Sequence, residues 1–147
     1  MAGHDRVVRD NVHRDIVLDD DISRLVDTRT FQRLRDVKQL ATCHYVFPTA
    51  THTRFVHSLG AQHLAGVLLE HLEKVNPGRI SPEDARLVRY AALLHDIGHP
   101  PFSHALENDR VFANYHHHEK WGRMILEDPD NDLRQVLIEL VGEDGLA

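Results

Sequence analysis

The apolar helical run that ends in Leu93-Leu94-His95-Asp96 is cut at once by Ile97-Gly98-His99-Pro100-Pro101, and this junction constrains the chain more than any other feature. Successive side chains on a regular helix diverge by about 100°, so an adjacent imidazole and carboxylate cannot easily share one ion there. At a helix end the restriction lifts. Gly98 is expected to take a positive φ and turn the chain, which lets His95 and Asp96 converge on one point. Because Val88, Ala91, Ala92 and Leu94 lead into the pair, both residues are expected to lie deep, where polar groups must be paired or coordinated. The residues alone leave two readings: a metal-ligand pair, or a C-cap in which the histidine favours the helix dipole and the aspartate bonds its own loop.

Further imidazoles surround this junction in sequence: His57 upstream, His99 and His104 just after it, and His116 to His118 beyond. Alone, His57 would read as a hydrogen-bonded core histidine. Together with His95 and Asp96 it makes a mixed nitrogen and oxygen set, which suits manganese, iron, nickel or zinc better than calcium, with magnesium also admissible. A metal-assisted hydrolase is the reading that uses all three.

A chain of 147 residues can bury a core as one domain. We expect a single domain over 1–147, with 1–20 as an N-terminal arm and 21–141 as a helical core. The single Cys43 cannot pair within the chain, fits a reducing cytoplasm, and is expected to be buried packing rather than a nucleophile. No stretch approaches the ~20 apolar residues of a membrane span. The formal charge of -6 argues against broad nucleic-acid binding, yet Ile22 to His57 holds six Lys/Arg against two Asp. Such a segment suits phosphates, or is a solvated helix face.

Apolar spacing predicts two short helices between Asp21 and Gln39 with a break near Thr28 to Thr30, then a loop over Cys43 to Thr53. A helix from Arg54 to about Val75 places Phe55, Leu59, Leu64, Val67, Leu68, Leu72 and Val75 on one face. Ser81-Pro82-Glu83-Asp84 reads as an N-cap with proline at the first helical position. His116 to Leu126 and Leu133 to Val141 read as two more helices, and no strand-like alternation stands out. The expected class is all-α.

These residues resemble the HD-domain phosphohydrolase superfamily, whose signature is a histidine, a later His-Asp pair and a distant aspartate. The segments Phe31-Gln32-Arg33-Leu34-Arg35, Lys38-Gln39-Leu40, Tyr45-Val46-Phe47-Pro48, Arg54-Phe55-Val56-His57-Ser58-Leu59-Gly60 and His95 through His104 are similar, in order, to its deoxynucleotide triphosphohydrolase branch. The resemblance implies an HD-type helical bundle with a metal site at the end of a central helix, formed by His57, His95 and Asp96. It implies that His104 acts as general acid, with His99 and His118 lining the phosphate site. It also implies that Gln39 and Leu40 contact sugar and base, and that Asp27, Gln32 and Arg35 bind a regulatory guanine nucleotide. From its chemistry Arg54 is a phosphate clamp or the partner of a salt bridge; Leu40 is otherwise core, and Asp27, Gln32 and Arg35 are otherwise helix-surface polar groups. His116 and His117 are expected at the surface.

The implied partners are a nucleotide substrate, in particular a deoxynucleoside triphosphate, a guanine nucleotide regulator and further copies of the chain, in the cytoplasm. One element of the signature is missing: no aspartate follows on a much later helix. Asp128, Asp130 and Asp132 fall in an acidic turn too close in sequence to replace it. The expectation is an N-terminal piece of a longer enzyme, in which metal binding survives better than turnover. The alternatives are another HD-type phosphohydrolase or phosphodiesterase, or a non-catalytic nucleotide-binding domain.

Overall fold

The computed structural model describes residues 5–102, 117–143 and 145. His104 and His116 lie outside them. Among the described residues the fold is helical, with α1 (Asp20–Val26), α2 (Arg29–Gln32), α3 (Arg54–Val75), α4 (Pro82–Leu94), α5 (His118–Glu127) and α6 (Asp132–Val141). Short 3-10 turns cover Arg33–Asp36 and Cys43–Tyr45.

One expectation is corrected at the N-terminus. Strands β1 (Arg6–Asp10) and β2 (Arg14–Leu18) pair antiparallel, with Val8 opposite Ile16 and Val7 opposite Val17. Ile16 and Leu18 enter the core while Val7 and Val17 face solvent. Valine on the outer face made these strands read as short apolar runs, so their alternation was hidden. The Asp10 carboxylate closes the turn by accepting from the Val12 and His13 amides at 2.7 and 2.8 Å, and Arg14 takes a φ of 65°, as three-residue hairpin loops require of one residue.

Local sequence starts the helices where capping chemistry places them. Asp19, Thr28, Ser81 and Asn131 each accept a backbone N–H in the first turn of α1, α2, α4 and α6. Asp132 serves a second helix: it accepts from the Arg29 amide at 2.6 Å and the Thr30 hydroxyl at 2.7 Å, holding α6 against the start of α2.

The core gathers Ile16 and Leu18, Ile22, Leu25 and Val26, Phe31 and Leu34, Phe55 and Leu59, Tyr90, Leu93 and Leu94, Ile97, and Leu133 with Leu137. Phe31 meets Phe55 edge to face at 5.4 Å. The start of α3 and the end of α4 lie side by side above this core, so the two helices run antiparallel. The second half of α3 departs from expectation, because Leu64, Val67, Leu68, Leu72 and Val75 are exposed. Cys43 and Leu40 are likewise exposed, against the expected packing. Both sit in the stretch between Val37 and Arg54, where Tyr45, Val46 and Phe47 are exposed as well. No helix among the described residues is long and apolar enough to cross a membrane.

Candidate metal centre

The antiparallel pairing of α3 and α4 brings His57, one turn into α3, against His95 and Asp96 at the end of α4. Their donor atoms lie within 4.8 Å of one another. His57 Nε2 stands 3.2 Å from His95 Nε2 and 3.5 Å from Asp96 Oδ2, and His95 Nε2 stands 3.4 Å from Asp96 Oδ1. Donors about 2.1 Å from one ion are about 3.0 Å apart at a right angle and about 3.4 Å at the tetrahedral angle. With one carboxylate oxygen facing each imidazole, these separations are of the size found between ligands of one ion.

Tautomer chemistry points the same way. His95 Nδ1 lies 2.9 Å from the Ala92 carbonyl, which can only accept, so in the neutral ring the proton sits on Nδ1 and the Nε2 lone pair is left for a ligand. Burial pushes the His57 imidazole below its ordinary value, with Asp96 pulling the other way, and the neutral ring is the form that ligates. For Asp96 burial acts to raise the carboxyl, but His95, Arg54, His99 and His57 outweigh it and hold it below the usual range. The residues present fit a divalent ion.

The pair is not uniformly deep. Asp96 is 6% exposed, whereas the His95 side chain is 43% exposed, a correction to the expected burial of both. One side of the cluster is a buried carboxylate and the other is open imidazole, which leaves room for additional ligands. Gly98 is also corrected: its φ is not positive, unlike that of Gly78 and Gly142. Its role is close approach, since a Cβ there would fall 2.0 Å from the His118 carbonyl oxygen and 2.2 Å from the Gly122 nitrogen. That contact seats α5 on the loop and stacks the His118 ring on His99 at 3.8 Å. His99 Nε2 is 3.5 Å from Asp96 Oδ1, so Asp96, His99 and His118 form a second convergent group.

Arg54 is 2% exposed and donates to Asp96 Oδ2 at 2.5 Å. It is thus a buried ion-pair partner at this centre, not a surface salt bridge. An isolated β-bridge, Lys38 with Thr53, sets the entry to α3, with the Arg54 amide donating to Val37. Gln39 and Leu40 follow directly, and Gln39 Oε1 is buried with no hydrogen-bond donor among the described residues. Asp27, Gln32 and Arg35 lie elsewhere. Asp27 takes both Arg6 guanidinium nitrogens at 2.6 and 2.7 Å, Gln32 accepts from Arg35 Nε at 2.6 Å, and the Arg35 guanidinium covers the Phe55 ring at 3.6 Å. His117 is exposed as expected. None of Asp128, Asp130 and Asp132 belongs to the His57 cluster.

Sequence reasoning missed Arg33, whose guanidinium donates to the His99 carbonyl at 2.8 Å and to the Ile97 carbonyl. It ties the loop after Asp96 to the turn after α2. Nothing local marks it among its basic neighbours; its partners are 64 and 66 residues away.

Comparison with known proteins agrees with this geometry. The HD domain family model matches residues 54–144. The chain is 39% identical over 125 residues to the deoxynucleoside triphosphate triphosphohydrolase SAMHD1 homolog of Dictyostelium discoideum, covering 82% of this chain and 24% of that protein. It is 47% identical over 103 residues to the deoxynucleoside triphosphate triphosphohydrolase SAMHD1 of Homo sapiens, covering 69% of this chain and 16% of that protein. The chain belongs to the HD domain family. It spans between about one sixth and one quarter of the length of these relatives.

Proposed function

We propose that this protein is a metal-dependent phosphohydrolase acting on deoxynucleoside triphosphates, releasing a deoxynucleoside and inorganic triphosphate. The observation that carries the reading is the convergence of His57 Nε2, His95 Nε2 and the Asp96 carboxylate, with the His95 lone pair kept bare by the Ala92 carbonyl. Kinship with triphosphohydrolases supports the substrate class. A manganese, iron, nickel, zinc or magnesium ion held by these three would polarise a phosphoryl oxygen and acidify water.

The remaining roles fall to the chain's own side chains. Arg54 keeps Asp96 ionised and, with its guanidinium beside the cluster, is the phosphate clamp of this reading. His99 and His118 contact the phosphates, and His104 protonates the leaving 5′-oxygen. Gln39 offers its buried Oε1 to a sugar hydroxyl, beside Leu40 against the base. Asp27, Gln32 and Arg35 would read a guanine nucleotide only after exchanging their present partners. In this reading the protein works in the cytoplasm as an oligomer. A non-catalytic nucleotide-binding domain is the second reading, favoured by the absence of a second carboxylate, as fourth ligand, from the His57 cluster among the described residues.

Elemental mass spectrometry on the purified chain and on His95→Ala tests the centre, and chromatography of products from dGTP tests the reaction. Expected are about one ion per chain, lost in the variant, and intact triphosphate. Orthophosphate or pyrophosphate would assign a different HD-type phosphohydrolase or phosphodiesterase, and nucleotide binding without products would assign the second reading.

A further inference from the structure

The loop that carries Asp96 out of α4 is buried: Asp96, Ile97 and His99 are 6%, 2% and 1% exposed. Its turns are closed by the Ile97 amide donating to Leu94 and the His99 amide donating to Asp96, at 2.9 and 3.1 Å. These bonds use N–H groups of the loop, whereas the carbonyls of Ile97 and His99 lie past the last turn of the helix and need donors from elsewhere. One side chain, the Arg33 guanidinium, meets both through separate nitrogens. Burial pushes that guanidinium below its ordinary value, and no acid acts the other way. Arg33 is therefore not half of an ion pair; its bonds to the loop offset the cost of burying its charge.

The same part of the chain reaches the other metal-bearing element. Val37, just after the Arg33–Asp36 turn, accepts from the Arg54 amide at 2.8 Å, and Arg35 lies over the Phe55 ring at 3.6 Å. Residues 33–37 thus grip the first turn of α3, which leads to His57, as well as the loop after Asp96. Between the two carbonyls that Arg33 holds lies Gly98, on which α5 is seated. We propose that Arg33 is a positioning residue of the metal centre, holding Asp96 and His99 in register with His57; the assignment rests on His57, His95 and Asp96 being the ligands. Lysine replaces it only in part, because an ammonium lacks the planar fork that spans two carbonyls.

Cobalt titration of the intact chain, followed by visible absorption, reads ligand geometry as well as affinity. Arg33→Met should weaken cobalt about tenfold or more, as loss of an outer partner of a metal site does, and should alter the spectrum of the bound ion. Arg33→Lys should recover part of the affinity. Leu137→Val, a core change in α6, which supplies no ligand, controls for stability alone, and thermal melts set a temperature at which every variant is folded. Wild-type affinity in Arg33→Met, or an equal loss in Leu137→Val, would overturn the proposal. An affinity loss with an unaltered spectrum would mean a weaker fold rather than a misplaced ligand, and would overturn it too. The metal-free protein gives a second readout. His99 stacks on His118 at 3.8 Å, so the ring-current shift of the His99 imidazole in NMR spectra should shrink in Arg33→Met and persist in Leu137→Val. A wild-type chain that takes no cobalt would sink the ligand reading, while this shift still decides whether Arg33 sets the loop; an unchanged shift would overturn that as well.

Discussion

The two ends of the α3–α4 pair are built from similar sequence and behave differently. Where α3 begins and α4 ends, Phe55, Leu59, Leu93 and Leu94 are buried among the hairpin, α1, α2 and α6. Toward the other end, Leu64, Leu68, Leu72 and Val75 continue the same spacing with solvent over them. Apolar periodicity thus marks which face of a helix can be buried; non-local partners decide which part of it is. The chemistry follows the burial. Asp96 sits at the dense end, where removal of water strengthens each interaction with Arg54 and the histidines and raises the cost of losing one.

The largest expected effect comes from breaking the dense end at its charge. Arg54→Met keeps most of the side-chain bulk but leaves the Asp96 carboxylate buried without its guanidinium, an arrangement worth about 3–5 kcal/mol of lost stability. Urea unfolding measures it as a fall in midpoint at unchanged slope. A loss below about 1 kcal/mol would mean that solvent, not Arg54, carries Asp96. The pair also sets a pH dependence. Since the folded protein holds the Asp96 carboxyl below its ordinary value, its contribution is present at neutral pH and is lost as pH falls through the unfolded and then the folded value. Arg54→Met should flatten that acid limb.

A smaller effect is expected from Gly98→Ala. The new methyl meets the backbone at His118 and Gly122 rather than the end of a flexible side chain, so α5 must shift. Overpacking of this kind costs about 1–3 kcal/mol. Amide exchange should quicken in α5 while the first half of α3 stays protected. Uniform loss of protection would show instead that α5 and the centre unfold as one unit.

Much of this architecture is legible in the sequence where its causes are local. The Ser81-Pro82 start of α4, the break between α1 and α2 and the extent of α3 follow from caps and spacing within a few residues. The convergence of His57 with His95 and Asp96 was readable because their motif context was specific. What could not be read depends on distant partners. Arg33 finds carbonyls beyond α4, Asp132 caps α2 across 103 residues, and Gly98 is needed for α5 rather than for its own φ. The hairpin was hidden for a different reason, because valines on its outer face erase the alternation that marks a strand.

The smallest effect should come from the open end. Leu68 is 57% exposed, so Leu68→Lys removes little buried area and is expected to change stability by no more than about 0.5 kcal/mol. Measured by urea unfolding beside Arg54→Met, it tests whether the contrast between the two ends is energetic as well as geometric. A loss above about 1 kcal/mol would place a cover over Leu68 in the folded protein. Repeating the titration at a higher protein concentration then separates the causes. A cost that grows with concentration makes the cover a second copy of the chain, because association is driven by mass action. A concentration-independent cost would place the cover within the same chain, and the difference between the two ends would then be one of partner rather than of exposure.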